Sequence, residues 1–270
     1  MGFAVLVAGL LAIAGGSWLL LRALRTPHRR ARCGGAGAVL ILASGLFLWR
    51  AANDPGAGWF GPVDSHGPRA RGEVAITFDD GPDPRWSGEV AGILADHGAP
   101  ATFFLVGKAI VAWPDVARQL RDDGHLLANH SYHHDYWRWL DPRYPELERT
   151  QRAFRDELDL CPALYRPPHG QRTPFLLHHV ESRGLRTVTW DVSAEDWSDD
   201  DGERVARRIL DQVEPGSIIL LHDGLDGEGA ADRSVLRTAL PLILDGLADR
   251  ELTPVRVDDL LGVPAYLDGC

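Results

Sequence analysis

The chain has 270 residues, with 28 Lys and Arg against 38 Asp and Glu, so its formal net charge is −10. A protein that binds nucleic acid by neutralising phosphates needs a basic surface, and this composition excludes that class. The charge is uneven, because residues 1–52 contain six arginines and no acid and so carry +6, which leaves −16 for the remainder. We therefore predict a basic, apolar N-terminal part followed by one acidic domain of about 200 residues.

The N-terminal part contains two uncharged runs, of 19 residues over 3–21 and of 17 residues over 33–49. A helix needs about 20 apolar residues to cross the hydrocarbon core of a bilayer, so we predict that residues 1–50 form a transmembrane hairpin. Residues 22–32, between the runs, contain five arginines, and short basic loops stay cytoplasmic. The pattern predicts a protein of the cell membrane whose acidic domain lies outside the cytoplasm.

Two other interpretations of the N-terminal part stay open. The first run could be a cleaved signal peptide, although it lacks a basic start and a clear small-residue cleavage site. Alternatively, only the first run spans the membrane and the Gly-rich second run lies in the interface. Both alternatives also place the acidic domain outside the cytoplasm.

The rest of the chain divides into three predicted parts. Residues 51–71 are rich in Gly, Pro and Asp without an apolar period, which predicts a linker. A folded domain follows over residues 72–262, with a C-terminal tail over 263–270. The three cysteines are too scattered for a zinc-thiolate site or a disulfide framework. Cys161 and Cys270 would pair only if the fold brings them together, which the sequence leaves open.

Apolar, β-branched runs alternate with helical patterns along the domain. The predicted strands cover residues 74–78, 102–106, 126–129, 164–166, 187–190, 218–221 and 254–257. The predicted helices between them cover residues 87–97, 108–122, 145–158, 174–183, 203–213 and 234–250. This alternation favours an α/β fold with about seven parallel strands, either an open doubly wound sheet or a closed barrel.

Polar side chains follow the ends of five predicted strands. They are Asp79 and Asp80, His130, Arg166, Asp191 with Asp196 and Trp197, and His222 with Asp223. Active sites of parallel α/β folds lie at the carboxyl ends of the strands. We therefore predict that these five segments meet at one rim.

The pair His130 and His134 is a candidate for metal binding, because residues four apart on a helical turn share a face. The zincin helix is excluded, since its Glu is missing here. The adjacent Asp79 and Asp80 offer a third ligand, because two buried carboxylates are costly without a cation or an arginine. Two histidines and one carboxylate leave an open position on Zn²⁺, and the other Asp would lie close enough to act as a base. His133 would point off the face that the other two histidines share.

Five motifs in this order resemble those of the NodB-type polysaccharide deacetylases, carbohydrate esterase family four. They are Thr-Phe-Asp-Asp-Gly-Pro at residues 77–82, His-Ser-Tyr-His-His at 130–134, Arg-Pro-Pro-His-Gly at 166–170, Ser-Ala-Glu-Asp-Trp at 193–197 and Ile-Ile-Leu-Leu-His-Asp at 218–223. The resemblance covers roughly residues 72–260. It implies a distorted (β/α) barrel and an enzyme that uses a divalent metal, usually zinc, to remove N- or O-acetyl groups from glycans.

The resemblance also implies a role for each matching residue. The metal ligands would be Asp80, His130 and His134. Asp79 would be the general base and pair with Arg166. His222 would be the general acid, oriented by Asp196, and would protonate the departing amine.

The expected substrate contacts come from three residues. Trp197 and Leu220 would line the pocket for the acetyl methyl group. His169 stands where the family usually has Tyr, and the resemblance implies that its backbone N–H faces the oxyanion. Its ring could alter substrate fit or the pH response.

These features predict a membrane-tethered glycan N-deacetylase with peptidoglycan N-acetylglucosamine as first substrate, because a short tether outside the membrane faces the cell wall. An O-acetyl esterase, or a deacetylase of an exopolysaccharide, a lipid-linked sugar or a chitooligosaccharide, stays open. An inactive glycan-binding module and a membrane scaffold are further alternatives, although base, ligands, arginine and acid are all present. The expected partners are an acetylated glycan and the membrane, with the oligomeric state open.

Overall fold

The structure is a computed structural model that describes residues 2–25 and 30–270. Eight strands form one parallel sheet: β1 (Glu73–Asp79), β2 (Thr102–Leu105), β3 (Leu126–Asn129), β4 (Leu164–Tyr165), β5 (Arg186–Thr187), β6 (Val192–Ser193), β7 (Ile218–His222) and β8 (Thr253–Val255). The ten α-helices of the described residues are α1 (Gly2–Arg25), α2 (Arg30–Asn53), α3 (Ser87–Asp96), α4 (Gly107–Ala112), α5 (Pro114–Asp122), α6 (Glu146–Leu158), α7 (Pro174–Ser182), α8 (Gly202–Gln212), α9 (Leu236–Ala248) and α10 (Val257–Leu261).

The sheet curves into the distorted (β/α) barrel that the family resemblance implies, rather than an open doubly wound sheet. Its strand order is β5-β4-β3-β2-β1-β7-β6, and the chain itself joins the two edge strands through residues 188–191. β2 pairs with the second half of β1, and β8 pairs with the first half. All pairs are parallel, so the carboxyl ends of the strands share one rim.

The alternation along β1 decides which side chains face the rim. Val74, Ile76 and Phe78 pack in the apolar layer under the helices. Residues 75, 77 and 79 therefore point to the other face, since successive side chains of a strand alternate. This alternation places Thr77 and Asp79 on the inner face of the barrel.

Three predicted elements differ from the structure, and one of them is the predicted strand 254–257, because β8 ends at Val255 and Val257 starts the unpredicted helix α10. The predicted helix 108–122 is divided into α4 and α5 at Trp113, because the residue before a proline disfavours helical backbone and Pro114 starts a new helix. The predicted strand 187–190 ends at Thr187, and the short strand β6 was not predicted.

The N-terminal helices α1 and α2 form an antiparallel hairpin. Gly2–Ala23 and Gly35–Asn53 are long and apolar enough to cross a membrane, by length and composition. The helices approach closely at Gly16, where a Cβ atom would lie 2.8 Å from the carbonyl oxygen of Gly37. Residues 26–29 of the predicted basic loop lie outside the described residues. The orientation of the hairpin across a membrane stays a prediction.

The predicted linker and tail are both packed against the barrel. Asp64 bridges to Val188 beside β5, and its carboxylate accepts two hydrogen bonds from Arg186. At the other end, Cys161 and Cys270 form a disulfide with a Cα–Cα distance of 5.4 Å. Both segments are therefore part of the folded domain. Because the linker packs against the barrel, the barrel lies directly at the end of the hairpin.

Candidate active site

An ion pair between Asp79 and Arg166 lies at the centre of the rim. Asp79 ends β1 and faces inward, and Arg166, directly after β4, is fully buried. One guanidinium nitrogen of Arg166 donates to Asp79 Oδ1 at 2.7 Å and to Thr77 Oγ1 at 2.8 Å. The guanidinium also lies 3.9 Å from the ring centre of Phe104. These contacts hold the Asp79 carboxylate in one orientation.

Asp80, His130 and His134 form a buried cluster beside this pair. One potential ligand atom from each residue lies within 4.8 Å of the others. His130 Nδ1 lies 2.9 Å from the carbonyl oxygen of Arg166, which turns its Nε2 toward the carboxylates. His134 Nε2 lies 3.1 Å from Asp80 Oδ1.

The cluster fits a divalent cation. Within the described residues, the buried Asp80 Oδ1 accepts no hydrogen bond, although an unpaired buried carboxylate oxygen is costly. Burial by itself would raise the pKa of Asp80, but His134, His130 and His222 together lower it well below its ordinary value. One carboxylate oxygen and two imidazole nitrogens are donors that Zn²⁺ accepts.

The histidine pair is not on a helix, so the predicted helical turn is wrong. Residues 130–134 form a loop in which Ser131 and His134 have φ values of 72° and 58°. Two left-handed residues bring the rings to 4.9 Å from each other. His133 points away, as predicted, and its Nδ1 lies 2.9 Å from Glu146 Oε2.

Backbone strain is concentrated at this rim. Asp80, His134, His169 and Asp226 have φ values of 76°, 58°, 55° and 48°, in the left-handed region that side chains with a Cβ atom disfavour. Such residues persist where the surroundings fix them, and they gather at functional sites.

The opposite side of the pocket carries His222 and Asp196. The carboxylate of Asp196 contacts His222 at two points. It lies 2.9 Å from the ring Nδ1, and it accepts a hydrogen bond from the backbone N–H at 2.9 Å. Burial works against the charged ring, but Asp196, with smaller contributions from Asp80 and Asp79, raises the pKa of His222 to about 9. His222 pairs with Asp79 across β7 and β1, so base and acid candidates occupy adjacent strand positions.

A pocket of about 360 Å³ joins the two sides. The predicted contact residues Leu220, Trp197 and His169 line it, together with the cluster, Asp79 and His222. The Trp197 ring lies 4.9 Å from that of His222, and the His169 ring lies 4.7 Å from that of His134. Burial, helped by His134 and His130, lowers the pKa of His169 to about 4.

Four residues predicted at the rim do not line this pocket: Arg166 and Asp196 lie behind Asp79 and His222 as described above, and Asp191 and Asp223 have other positions. Asp191 accepts hydrogen bonds from Arg69 and from the backbone N–H of Ile218, so it has a structural position. Asp223 is buried behind the rim and accepts a hydrogen bond from Ser87. Burial and its neighbour Asp80 raise the pKa of Asp223 to about 7.

Sequence reasoning missed Asp226, which follows β7 on a loop. Its Oδ1 lies 2.6 Å from His134 Nδ1, on the ring edge away from Asp80. Trp190, Leu225 and Arg233 also line the pocket. These residues do not follow the spacing of a helix or a strand, so the sequence pattern could not assign them to the pocket.

Known proteins share this architecture and part of this sequence. The family model for polysaccharide deacetylases matches residues 66–188. A chitooligosaccharide deacetylase of Azorhizobium caulinodans is 37% identical over 163 residues, which cover 58% of this chain and 77% of that protein. The chain belongs to the polysaccharide deacetylase family.

Two further comparisons support this membership. A peptidoglycan-N-acetylglucosamine deacetylase of Bacillus cereus is 31% identical over 191 residues, covering 70% of this chain and 87% of that protein. A crystal structure of a peptidoglycan N-acetylglucosamine deacetylase superposes with a TM-score of 0.69 at 26% identity, covering 76% of this chain and 95% of that one. This polysaccharide deacetylase is therefore a hydrolase of acetylated glycans, which confirms the predicted enzyme class.

Proposed function

We propose that this polysaccharide deacetylase removes N-acetyl groups from N-acetylglucosamine in a glycan outside the cytoplasm, with peptidoglycan as first substrate. The observation that carries the proposal is the pairing of Asp79 with His222 on adjacent strands, in the pocket that the Asp80, His130 and His134 cluster also lines. A base and an acid in one pocket suit hydrolysis of an acyl group.

The metal would be held by Asp80, His130 and His134, with Zn²⁺ the first candidate. When bound, it supplies a Lewis acid and makes water a stronger nucleophile at neutral pH. Asp79 then accepts a proton from the attacking water, and Arg166 keeps the carboxylate in position for this transfer.

His222 would give its proton to the departing amine. An amine cannot leave as an anion, so an acid held in its protonated form favours amide substrates over esters. Asp196 maintains that form, with the pKa of His222 raised to about 9. Trp197 and Leu220 would form the wall against the acetyl methyl group.

Two features support a location outside the cytoplasm. The arginines of residues 22–32 favour a cytoplasmic loop. The Cys161–Cys270 disulfide suits an oxidising compartment, since cytosolic thiols are kept reduced. In this orientation the barrel would lie at the outer face of the cell membrane and would face the cell wall.

Acetate release tests the activity. Full-length protein is incubated with N-acetylchitooligosaccharide and with peptidoglycan, with and without a chelator, and Asp79→Asn serves as the inactive control. We expect acetate from N-acetyl substrates, loss of activity with chelator and its return with Zn²⁺. Release from O-acetyl esters alone would overturn the N-acetyl assignment.

A reporter that is active only outside the cytoplasm, fused after residue 70, tests the location. We expect activity. An inactive reporter, with the fusion protein present in the membrane, would contradict both the orientation and the cell-wall substrate.

A further inference from the structure

The loop that carries Arg166 and His169 is joined to the end of the membrane hairpin by a buried arginine, Arg172. The backbone N–H of Arg172 donates to the carbonyl oxygen of Ala52 at 3.0 Å, in the last turn of α2. Its guanidinium donates to the carbonyl oxygens of Asp54 and of Ala57. A cation is favourable beside the free carbonyls at the end of a helix. The hairpin is therefore fixed to the active-site loop.

A mostly apolar groove of about 360 Å³ lies between the end of the hairpin and residues 135–141. Leu6 and Leu48 line the hairpin side, and Trp137 and Leu140 line the other side. The two leucines belong to the apolar stretches that would cross the membrane, so the groove opens toward the layer that the hairpin occupies. The groove is as large as many pockets that hold small ligands, about 300–1,000 Å³.

The groove shares a wall with the active site. Tyr136 lines the groove, and its ring lies 5.1 Å from the ring of His169, which lines the site pocket. The ring of His169 in turn lies 4.7 Å from that of His134. The rings of Tyr136 and His169 therefore form the boundary between the groove and the site pocket, and a molecule that passes over these two rings would have one part in each.

We propose that the substrate is an acetylated amino-sugar glycan joined to a membrane lipid, with the hydrocarbon chain in this groove and the sugar in the site pocket. The inference rests on the proposed function, because it assigns a substrate class to the same site. It narrows the proposed substrate to a glycan that is still joined to its membrane lipid, before it becomes part of a finished wall polymer, so that the sugar reaches the enzyme from the membrane in which the hairpin would lie.

The exposure of the groove supports a hydrocarbon occupant. Trp137 is 65% exposed and Leu140 is 54% exposed, although apolar surface gains about 25 cal/mol per Å² when it leaves water. Asn53, Gln171 and Thr173 are polar side chains of the groove. The leucines on its two sides offer the hydroxyls of a sugar chain no hydrogen-bond partner, whereas they suit a hydrocarbon chain. A lipid chain that lies along α1 and α2 reaches the groove without crossing water.

A matched pair of substrates tests the inference. Full-length protein is placed in phosphatidylcholine vesicles with di-N-acetylchitobiose as a long-chain alkyl glycoside or as its methyl glycoside. The two share the reacting group and differ only in the hydrocarbon chain. The measured quantity is the kcat/KM for the alkyl glycoside divided by that for the methyl glycoside, from acetate release.

Leu140→Asp places a charge where the chain would lie, and we expect it to reduce this ratio by about tenfold or more. Trp137→Ser should change the ratio in the same direction. The control is Leu242→Asp on α9, where an exposed leucine lies away from groove and site. This control should leave the ratio unchanged.

Three results would overturn the inference. A wild-type ratio that Leu140→Asp and Trp137→Ser do not change would show that the groove does not hold the chain. An altered oligomeric state with an unchanged ratio would assign the groove to a second copy of the protein. If wild-type protein releases acetate from neither glycoside, the proposed function fails and the lipid-linked substrate with it.

Discussion

The two sides of the pocket differ in whether the protein alone balances their charges. On one side, Asp80 Oδ1 is buried next to two imidazoles without a hydrogen bond from the described residues. On the other side, Asp196 binds both the ring and the backbone of His222. Because an unpaired buried carboxylate oxygen is costly, the first side fits a bound cation, whereas on the second side the protein itself pairs the two groups. Substitutions on the two sides should therefore fail in different ways.

The largest effect is expected at the side proposed to hold the metal. Asp80→Ala should lose metal and activity on every acetylated substrate, because one of three protein ligands is removed. Asp79→Asn should keep the metal while activity falls about 10²–10⁴-fold, since an amide cannot accept the proton from water. Metal content by elemental analysis and acetate release on the same preparations separate the two roles.

The unfolding temperature of each variant without metal serves as the control for folding. If Asp79→Asn releases the metal and Asp80→Ala retains it, the assignment of ligand and base is reversed.

The next effect belongs to the other side and depends on the leaving group. His222→Ala should reduce deacetylation of an N-acetyl sugar by about 10²–10⁴-fold, the usual contribution of an acid or base. Hydrolysis of an activated aryl acetate should change far less, because a phenol leaves as an anion. The kcat/KM of both substrates is measured for wild type and variant.

Equal losses on the two substrates would show that His222 binds substrate or supports the fold. The proton donor would then be another group, and His169 is the next ring along the pocket.

The alternation of strands and helices predicted a parallel α/β sheet, and the resemblance to the polysaccharide deacetylases implied the barrel; two simple patterns in the structure explain both. The period of two along β1 buries Val74 and Phe78 toward the helices and turns Asp79 inward. Parallel pairing then brings the ends of β1, β3, β4 and β7 to one rim. The gathering of Asp79, His130, Arg166 and His222 follows from these two facts.

The local geometry of the site could not be predicted in the same way. The helical spacing predicted that His130 and His134 lie close together, and their rings do. They meet through left-handed residues in a loop, however, and not through a helical turn. Asp226 contacts His134 from a loop, and Arg172 donates to backbone carbonyl oxygens. Neither kind of contact leaves a periodic pattern in the sequence. Strained loops depend on the whole surrounding fold rather than on local preference.

A smaller effect is expected at Asp226, which touches a ligand rather than the metal itself. A carboxylate behind a metal-binding histidine orients the ring and makes it a better donor. Asp226→Asn should weaken metal affinity about 10–100-fold. Asn tolerates the left-handed backbone of this position, so the loop should keep its shape. Competitive metal titration against a chromophoric chelator measures the change.

Asp159→Asn is the matched control, because Asp159 is also left-handed and ends α6 away from the pocket. An Asp226→Asn variant that binds metal as tightly as this control would mean that the 2.6 Å contact with His134 does not support the site.

The smallest effect is a shift of the pH profile in Asp196→Asn. Asp196 raises the pKa of His222 to about 9 against the opposing effect of burial, so the ring keeps its proton at neutral pH. The protonated ring is the active form for an amine leaving group, so wild-type activity should fall as the pH rises through that value. A bound cation repels the charged ring and moves the fall to lower pH. Without the carboxylate, burial lowers the pKa further, and the alkaline fall should begin at a lower pH than in wild type. The aryl acetate profile should not shift, because its leaving group needs no proton. An unchanged alkaline limb on the N-acetyl substrate would assign that titration to a group other than His222.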